Sequence, residues 1–320
     1  MTSGLRWLGQ QARWSLPAGV FVGILLPDLA HLARPLLAPA VVGTLVAALL
    51  RMDWPRMWSW LRQPSWPLAL TLWLTLVSPG LIWLVTLPMG LPDEWRILLV
   101  LQAAGPPIGS AAAFAMFLGL EGSLCMVSTV WATLGLPLTL TAVVAWLLPL
   151  SGIQVDLVHF FLRVLILVAL PFAIAAFIRR WVGVARLQKH DAELAGLNVV
   201  MLVIFAVAVM EGVQDILWRD TTLALTLLGT ACATVTVWHL VGYLICRWAG
   251  LNTAYSAALV TGNRNMGLLL VVTAGTAGPL FALYVAIVQI PMYFAPLLLD
   301  RKSTRLNSSH VALSRMPSSA

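Results

Sequence analysis

Two short runs hold the polar and helix-breaking residues that the sequence places inside otherwise apolar stretches. They are Gly105-Pro106-Pro107-Ile108-Gly109-Ser110 and Thr261-Gly262-Asn263-Arg264-Asn265-Met266-Gly267. Arg264 is a permanent cation whose planar fork of donors matches a carboxylate. Asn263, Asn265 and Thr261 beside it supply neutral hydrogen-bonding groups. Such a set recognises a small anion. Every Asp and Glu falls in a loop or at the end of an apolar run, so no buried acid is expected to neutralise Arg264 or to act as a base. An intramembrane enzyme needs a nucleophile with its base or a carboxylate pair at depth, and no enzyme activity is expected. The alternative role for Arg264 is to satisfy unwound carbonyls of a crossing helix without meeting a ligand. Arg163, early in its apolar run, can snorkel to the interface. His239 is expected to be neutral and bonded to a neighbouring helix. Met201, Met210 and Met266 are expected to pack, as are Cys125, Cys232 and Cys246, whose spacing suits no metal. Neither metal nor cofactor is expected.

The elements that must position these residues are membrane helices. Of 320 residues, 60% are hydrophobic and 10% charged, where soluble domains are about a quarter charged, and the mean hydropathy is +0.92. Apolar runs long enough to cross a bilayer recur at about 15–30, 33–50, 67–88, 95–119, 122–150, 157–178, 194–212, 221–246, 253–276 and 278–299. Trp54, Trp58, Trp60, Trp66, Trp95 and Trp181 fall at their ends, where indole rings prefer the headgroup level. The run from Pro17 to Leu26 is followed by Asp28, His31 and Arg34 rather than a small-residue cleavage site, and is expected to be the first membrane helix. The net charge of +7 is spread over short loops instead of one patch, which argues against a nucleic-acid partner. With cytoplasmic termini, Arg51, Arg56, Arg62, Arg179, Arg180, Arg186, Lys189, Arg247, Arg301 and Lys302 lie inside, leaving Arg34, Arg96 and Arg219 outside. A bacterial-type inner membrane is the expected location.

Ten spans divide into two halves of five with opposite orientation, about 15–150 and 155–300, within a single transmembrane domain spanning 1–300. Both helix-breaking runs fall in the fourth span of their half. Either alone is explained by an ordinary proline kink; their matching positions predict two broken helices, with Gly105, Gly109, Gly262 and Gly267 as hinges and Pro106 and Pro107 facing Arg264. At these residues the chain resembles the bile acid:sodium symporter superfamily over about 15 to 300. Gly262, Asn265, Gly267 and Leu268 match its ninth-helix motif, and Pro106, Thr129 and Pro137 match landmarks around its fourth and fifth helices. The resemblance implies an all-α fold of two inverted five-helix repeats whose broken helices 4 and 9 cross beside the ligand and sodium sites. The sodium ligands that it implies fall on Ala111, Ala112, Cys125, Val260 and Arg264, and only Thr129 remains. A secondary-active-type carrier of a small organic anion, without conventional sodium coupling, is therefore expected. Its partners would be that anion and the lipid bilayer, with Arg264, Asn263, Asn265, Thr261, Thr129 and Ser110 at the site. A sodium-coupled symporter with a rebuilt ion site, a channel and a sensor also fit the residues. Residues 301–320 turn abruptly polar and look like cloning read-through or a disordered tail.

Overall fold

Runs of apolar residues punctuated by Gly, Pro and charge have become helices throughout the computed structural model, which describes residues 2–59, 65–147 and 155–293. Trp60, Arg62, Arg301, Lys302 and the tail 301–320 lie outside the described residues. No β-strand occurs among those described, apart from one isolated two-residue bridge. Among the described residues six helices are long and apolar enough to cross a membrane, as in a membrane-embedded, all-α protein.

After the short helix Thr2–Gln10, the elements are α1 (Ala12–Leu25), α2 (Pro27–Arg51), α3 (Ser65–Met89), α4 (Asp93–Ala104), α5 (Ala111–Phe117) and α6 (Gly122–Leu147). The second half comprises α7 (Leu157–Val182), α8 (Asp191–Ala208), α9 (Thr221–Cys246), α10 (Leu251–Gly262), α11 (Met266–Val272) and α12 (Gly278–Tyr293). The boundary between the first two spans is earlier than the sequence predicts, at Leu26 instead of near 30–33. Pro27 is the cause: it supplies no N–H to continue α1, and its fixed φ suits the first turn of α2. The seventh span likewise starts three residues before the expected 194, because Asp191 is favoured by the positive end of the α8 dipole. Asp156 caps α7 by accepting from Val158 N and His159 N, and Asp220 caps α9 by accepting from Leu223 N.

Helix α8 lies against α1 and α2, α7 against α2 and α6, α3 against α4 and α6, and α10 against α9 and α6. The main core joins α4, α6, α7, α9, α11 and α12. Large apolar side chains stay exposed along the outer flanks, for example Leu162, Ile166, Leu170 and Phe177 of α7, as a lipid-facing surface requires. Trp181 is exposed at the end of α7, and Trp66 stacks at 5.1 Å on Trp248.

Candidate functional site at the helix crossing

Both runs break their helices. Gly105 cannot continue α4 because the Pro106 ring disfavours helical backbone in the residue before it; it is extended, at φ −64° and ψ 143°. In the second run, Asn263 (φ −102°, ψ 87°) and Asn265 (φ −78°, ψ 75°) separate α10 from α11. The two unwound segments satisfy one another. Ile108 N donates to Asn263 O at 2.9 Å and Asn265 N to Pro106 O at 2.7 Å, forming an antiparallel bridge between Pro107 and Arg264. Prolines 106 and 107 bring no N–H that would need a partner, so this short pairing answers the demand that unwound backbone be satisfied at membrane depth.

None of the four break glycines has positive φ; three of them, Gly105, Gly262 and Gly267, sit in close approach to neighbouring side chains. A Cβ on Gly262 would run into the His239 ring, and one on Gly105 would lie 2.7 Å from a Leu269 methyl carbon. The His239 ring is fixed on both sides: Nδ1 donates to Val235 O at 2.7 Å, so Nε2 accepts from Asn263 Nδ2 at 3.0 Å. It is a neutral side chain tying α9 to the second break.

Arg264 is 1% exposed. Its Nε donates to Thr261 O at 2.8 Å, Nη1 donates to Leu74 O at 3.0 Å and Gly105 O at 2.8 Å, and Nη2 donates to Ser78 Oγ at 3.0 Å. The guanidinium carbon lies 5.9 Å from the Trp238 ring centroid, within cation–π range. Four of the five guanidinium N–H groups are thus taken by neutral oxygens, and none by a carboxylate. The side chain ties its own break to the crossing one and to α3.

The tie to α3 depends on a local widening of that helix. Trp73–Val77 form a π-turn in which Ser78 N–H donates to Trp73 O, five residues back. Leu74 O thereby loses its α-helical donor, and the next nitrogen belongs to Pro79, which has no hydrogen. The carbonyl is left for Arg264. The Ser78 hydroxyl, within 3.0 Å of Leu74 O and 2.9 Å of Ala103 O, donates to one of them and accepts from Arg264. Leu74, Ser78 and Trp238 were not singled out from sequence; the Ser78-Pro79-Gly80 run inside an apolar span was the available signal.

Beside the crossing lies a cavity of about 220 Å³. It runs from Gly109, Ser110 and residues 264–267 along the C-terminal half of α2 to Arg51 and Met52. Its walls are mostly apolar, with Leu45, Leu49, Met126, Val130 and Phe172 among them. Of the expected site residues, Ser110, Thr129, Arg264, Asn265, Gly109 and Gly267 line it, whereas Thr261, Asn263, Pro106, Pro107, Gly105 and Gly262 do not. Those six belong to the crossing: Trp73 Nε1 donates to Thr261 Oγ1 at 3.2 Å, for example. Thr44, Thr133, Asn198, Gln289, Tyr293 and Arg51 line the cavity without having been anticipated. The hydroxyls of Thr44, Thr129 and Thr133 donate to Val41 O, Cys125 O and Thr129 O at 2.7 Å each, which turns their lone pairs outward. Asn198 Oδ1 is buried with no hydrogen-bond partner among the described residues, the condition of a group that meets its partner in a ligand or water.

Beyond the crossing, polar side chains bond across three helices. Tyr284 Oη donates to Gln102 Oε1 at 2.7 Å, Gln102 Nε2 donates to Thr234 Oγ1 at 3.2 Å, and Thr234 Oγ1 lies 2.7 Å from Tyr284 Oη, locking α12, α4 and α9 together. Arg163, expected to snorkel, instead caps the end of α11 by donating to Val271 O and Ala274 O at 3.0 and 2.6 Å.

The chain matches no protein-family model, and no curated protein matches it at a significant level.

Proposed function

We propose that this protein is a secondary-active-type carrier of a small organic anion, working by alternating access and related to the bile acid:sodium symporter superfamily. The observation that carries the reading is the crossing itself. Two broken helices, one from each half of the chain, pair through their unwound backbones around a buried cation, and a cavity with spare hydrogen-bond acceptors starts at that point. Arg264 then acts on the ligand through its charge: the guanidinium is fixed by carbonyls, no acid among the described residues lines the cavity, and the resulting field favours an anion at the crossing.

The packing supports ten crossings in two inverted repeats. An operation exchanging the halves maps α1 on α8 to α7 on α2, and α3 on α4 to α9 on α10. It also maps α6 on α10 to the Tyr284–Gln102 contact of α12 with α4. The termini are cytoplasmic, in an inner membrane of bacterial type. Arg51 and Asp191 pair on one face, as do Arg34 and Glu211 on the other; the excess of basic residues on the Arg51 side is what favours that side as cytoplasmic. The cavity then faces the cytoplasm.

Counterflow in proteoliposomes tests the proposal. Vesicles loaded with an unlabelled organic acid should take up the labelled acid transiently above its equilibrium level. Equilibration without overshoot across a panel of organic acids defeats the carrier reading in favour of a channel, and no flux at all defeats transport.

A further inference from the structure

Resting on the carrier reading, we infer that Arg51 is the residue that makes direct ionic contact with the anion, at the mouth of the cavity, and that Asp191 is its positioning residue. Only two charged side chains line the cavity among the described residues, Arg51 and Arg264. Arg264 has one N–H left and is sealed in its carbonyl cage. Arg51 is different. Its side chain is 33% exposed, and it holds Asp191 through one edge of the fork, with Nε to Oδ1 at 2.7 Å and Nη2 to Oδ2 at 3.1 Å. Nη1 has no hydrogen-bond partner among the described residues and Nη2 uses one of its two N–H groups, so three donors remain for a carboxylate.

The surroundings leave this guanidinium available. Arg51 is the last residue of α2, where helix carbonyls normally attract a nearby cation, but those carbonyls are already served by Arg179, whose Nη1 donates to Leu50 O and Met52 O at 3.0 Å each. Asp191 stands in the first turn of α8, held in turn by the dipole of that helix. An exposed ion pair contributes little net stability, so an arriving carboxylate can share or displace Asp191 at small cost. A cation at the mouth also raises the rate at which anions enter. The ligand that fits is a monocarboxylate with an apolar body, its charge first on Arg51 and its chain against Leu49, Met126, Val130 and Phe172.

Octanoate and its uncharged isostere octanamide are the probes, with affinity measured by calorimetry on full-length protein shown to be monodisperse. Arg51→Gln should weaken octanoate at least tenfold and leave octanamide unchanged, and Arg51→Lys should fall between. Asp191→Asn, whose one remaining oxygen can still hold Nε while releasing Nη2, should hold or raise octanoate affinity. A purely structural latch between α2 and α8 would make Arg51→Gln and Asp191→Asn behave alike for both probes, and that result overturns the inference. So does an unchanged octanoate affinity in Arg51→Gln, or a wild-type protein that does not bind octanoate. In all these cases counterflow of other organic acids is unaffected as a test, and its persistence would leave the carrier reading standing.

Discussion

A guanidinium at 1% exposure with no carboxylate beside it survives only because neutral oxygens replace its hydration. Each hydrogen bond to a charged group contributes about 1.5–3 kcal/mol. Arg264→Ala removes four at once and leaves Leu74 O, Gly105 O and Thr261 O buried and short of donors. A loss of about 3 kcal/mol or more is expected, seen as a marked fall in Tm in detergent followed by tryptophan fluorescence. Arg264→Lys keeps the charge but not the fork and should recover only part of it. An unchanged Tm in Arg264→Ala would show that the cage contributes nothing to stability. Gly262 permits a different contact at the same break. Alanine there would put a methyl group into the His239 ring, whereas at Gly229 in α9 it would meet nothing within 4 Å. Gly262→Ala should therefore abolish a monodisperse size-exclusion peak, and Gly229→Ala should leave it intact and slightly raise Tm through helix propensity.

At the scale of elements, the sequence discloses where helices break but not how the broken ends meet. Pro106 and Pro107 lack donors, and Gly262-Asn263 interrupts an apolar run, so both gaps are local facts of composition. The register that sets Ile108 against Asn263 and Asn265 against Pro106 is a tertiary fact, as is the diversion of Ser78 N–H that opens Leu74 O to Arg264. Three of the four break glycines, Gly105, Gly262 and Gly267, also permit close packing, which depends on partners 20 or more residues away in the chain, such as His239 for Gly262. Helix ends are more local. Asp156 accepts from two backbone N–H groups at the start of α7 and from the His159 ring at 2.6 Å. The His159 side-chain bond, followed by the backbone bonds, holds the Asp156 carboxyl below its ordinary value. A depressed folded value means that this stabilisation is complete above the ordinary carboxylate range and is lost as pH falls through it. Wild-type Tm should accordingly drop more between pH 6 and pH 3 than that of Asp156→Asn, which keeps a capping oxygen without a titrating proton. Parallel Tm curves would mean that the cap does not titrate with folding.

For the whole molecule, periodicity and charge placement were enough to anticipate a bundle of membrane helices, because lipid as solvent imposes length and composition on each span separately. The cavity was half legible. Ser110 and Asn265 lay in conspicuous runs and Thr129 came from the family resemblance, but Thr44, Thr133, Asn198, Gln289 and Arg51 are ordinary residues of α2, α6, α8 and α12 that become neighbours only when the bundle closes. Orientation is tested by cysteines at Arg186 and Asp215, which a membrane-impermeant maleimide should label from opposite sides; labelling from the same side would refute the proposed topology. Ion coupling follows from the same arrangement. A sodium site needs several converging oxygens, yet Ala111, Ala112, Cys125 and Val260 are buried apolar or thiol side chains, and the Cys125 thiol itself donates to Ser256 O at 3.5 Å. Thr129 Oγ1 offers a lone pair, but its proton is committed to Cys125 O, and Arg264 holds the three carbonyls that a second cation would want. A mobile sodium ion would have to enter next to that guanidinium, where like charges in a low-dielectric interior repel strongly. On the proposed carrier reading, Arg264 would occupy, covalently and permanently, the electrostatic place of a co-transported cation. Initial uptake of a transported organic acid should change less than about twofold, well under 1 kcal/mol, when sodium is replaced by choline. A steep, saturable sodium dependence would require another oxygen set, and the threonine hydroxyls and Asn198 Oδ1 of the cavity would be the first positions to substitute in search of it.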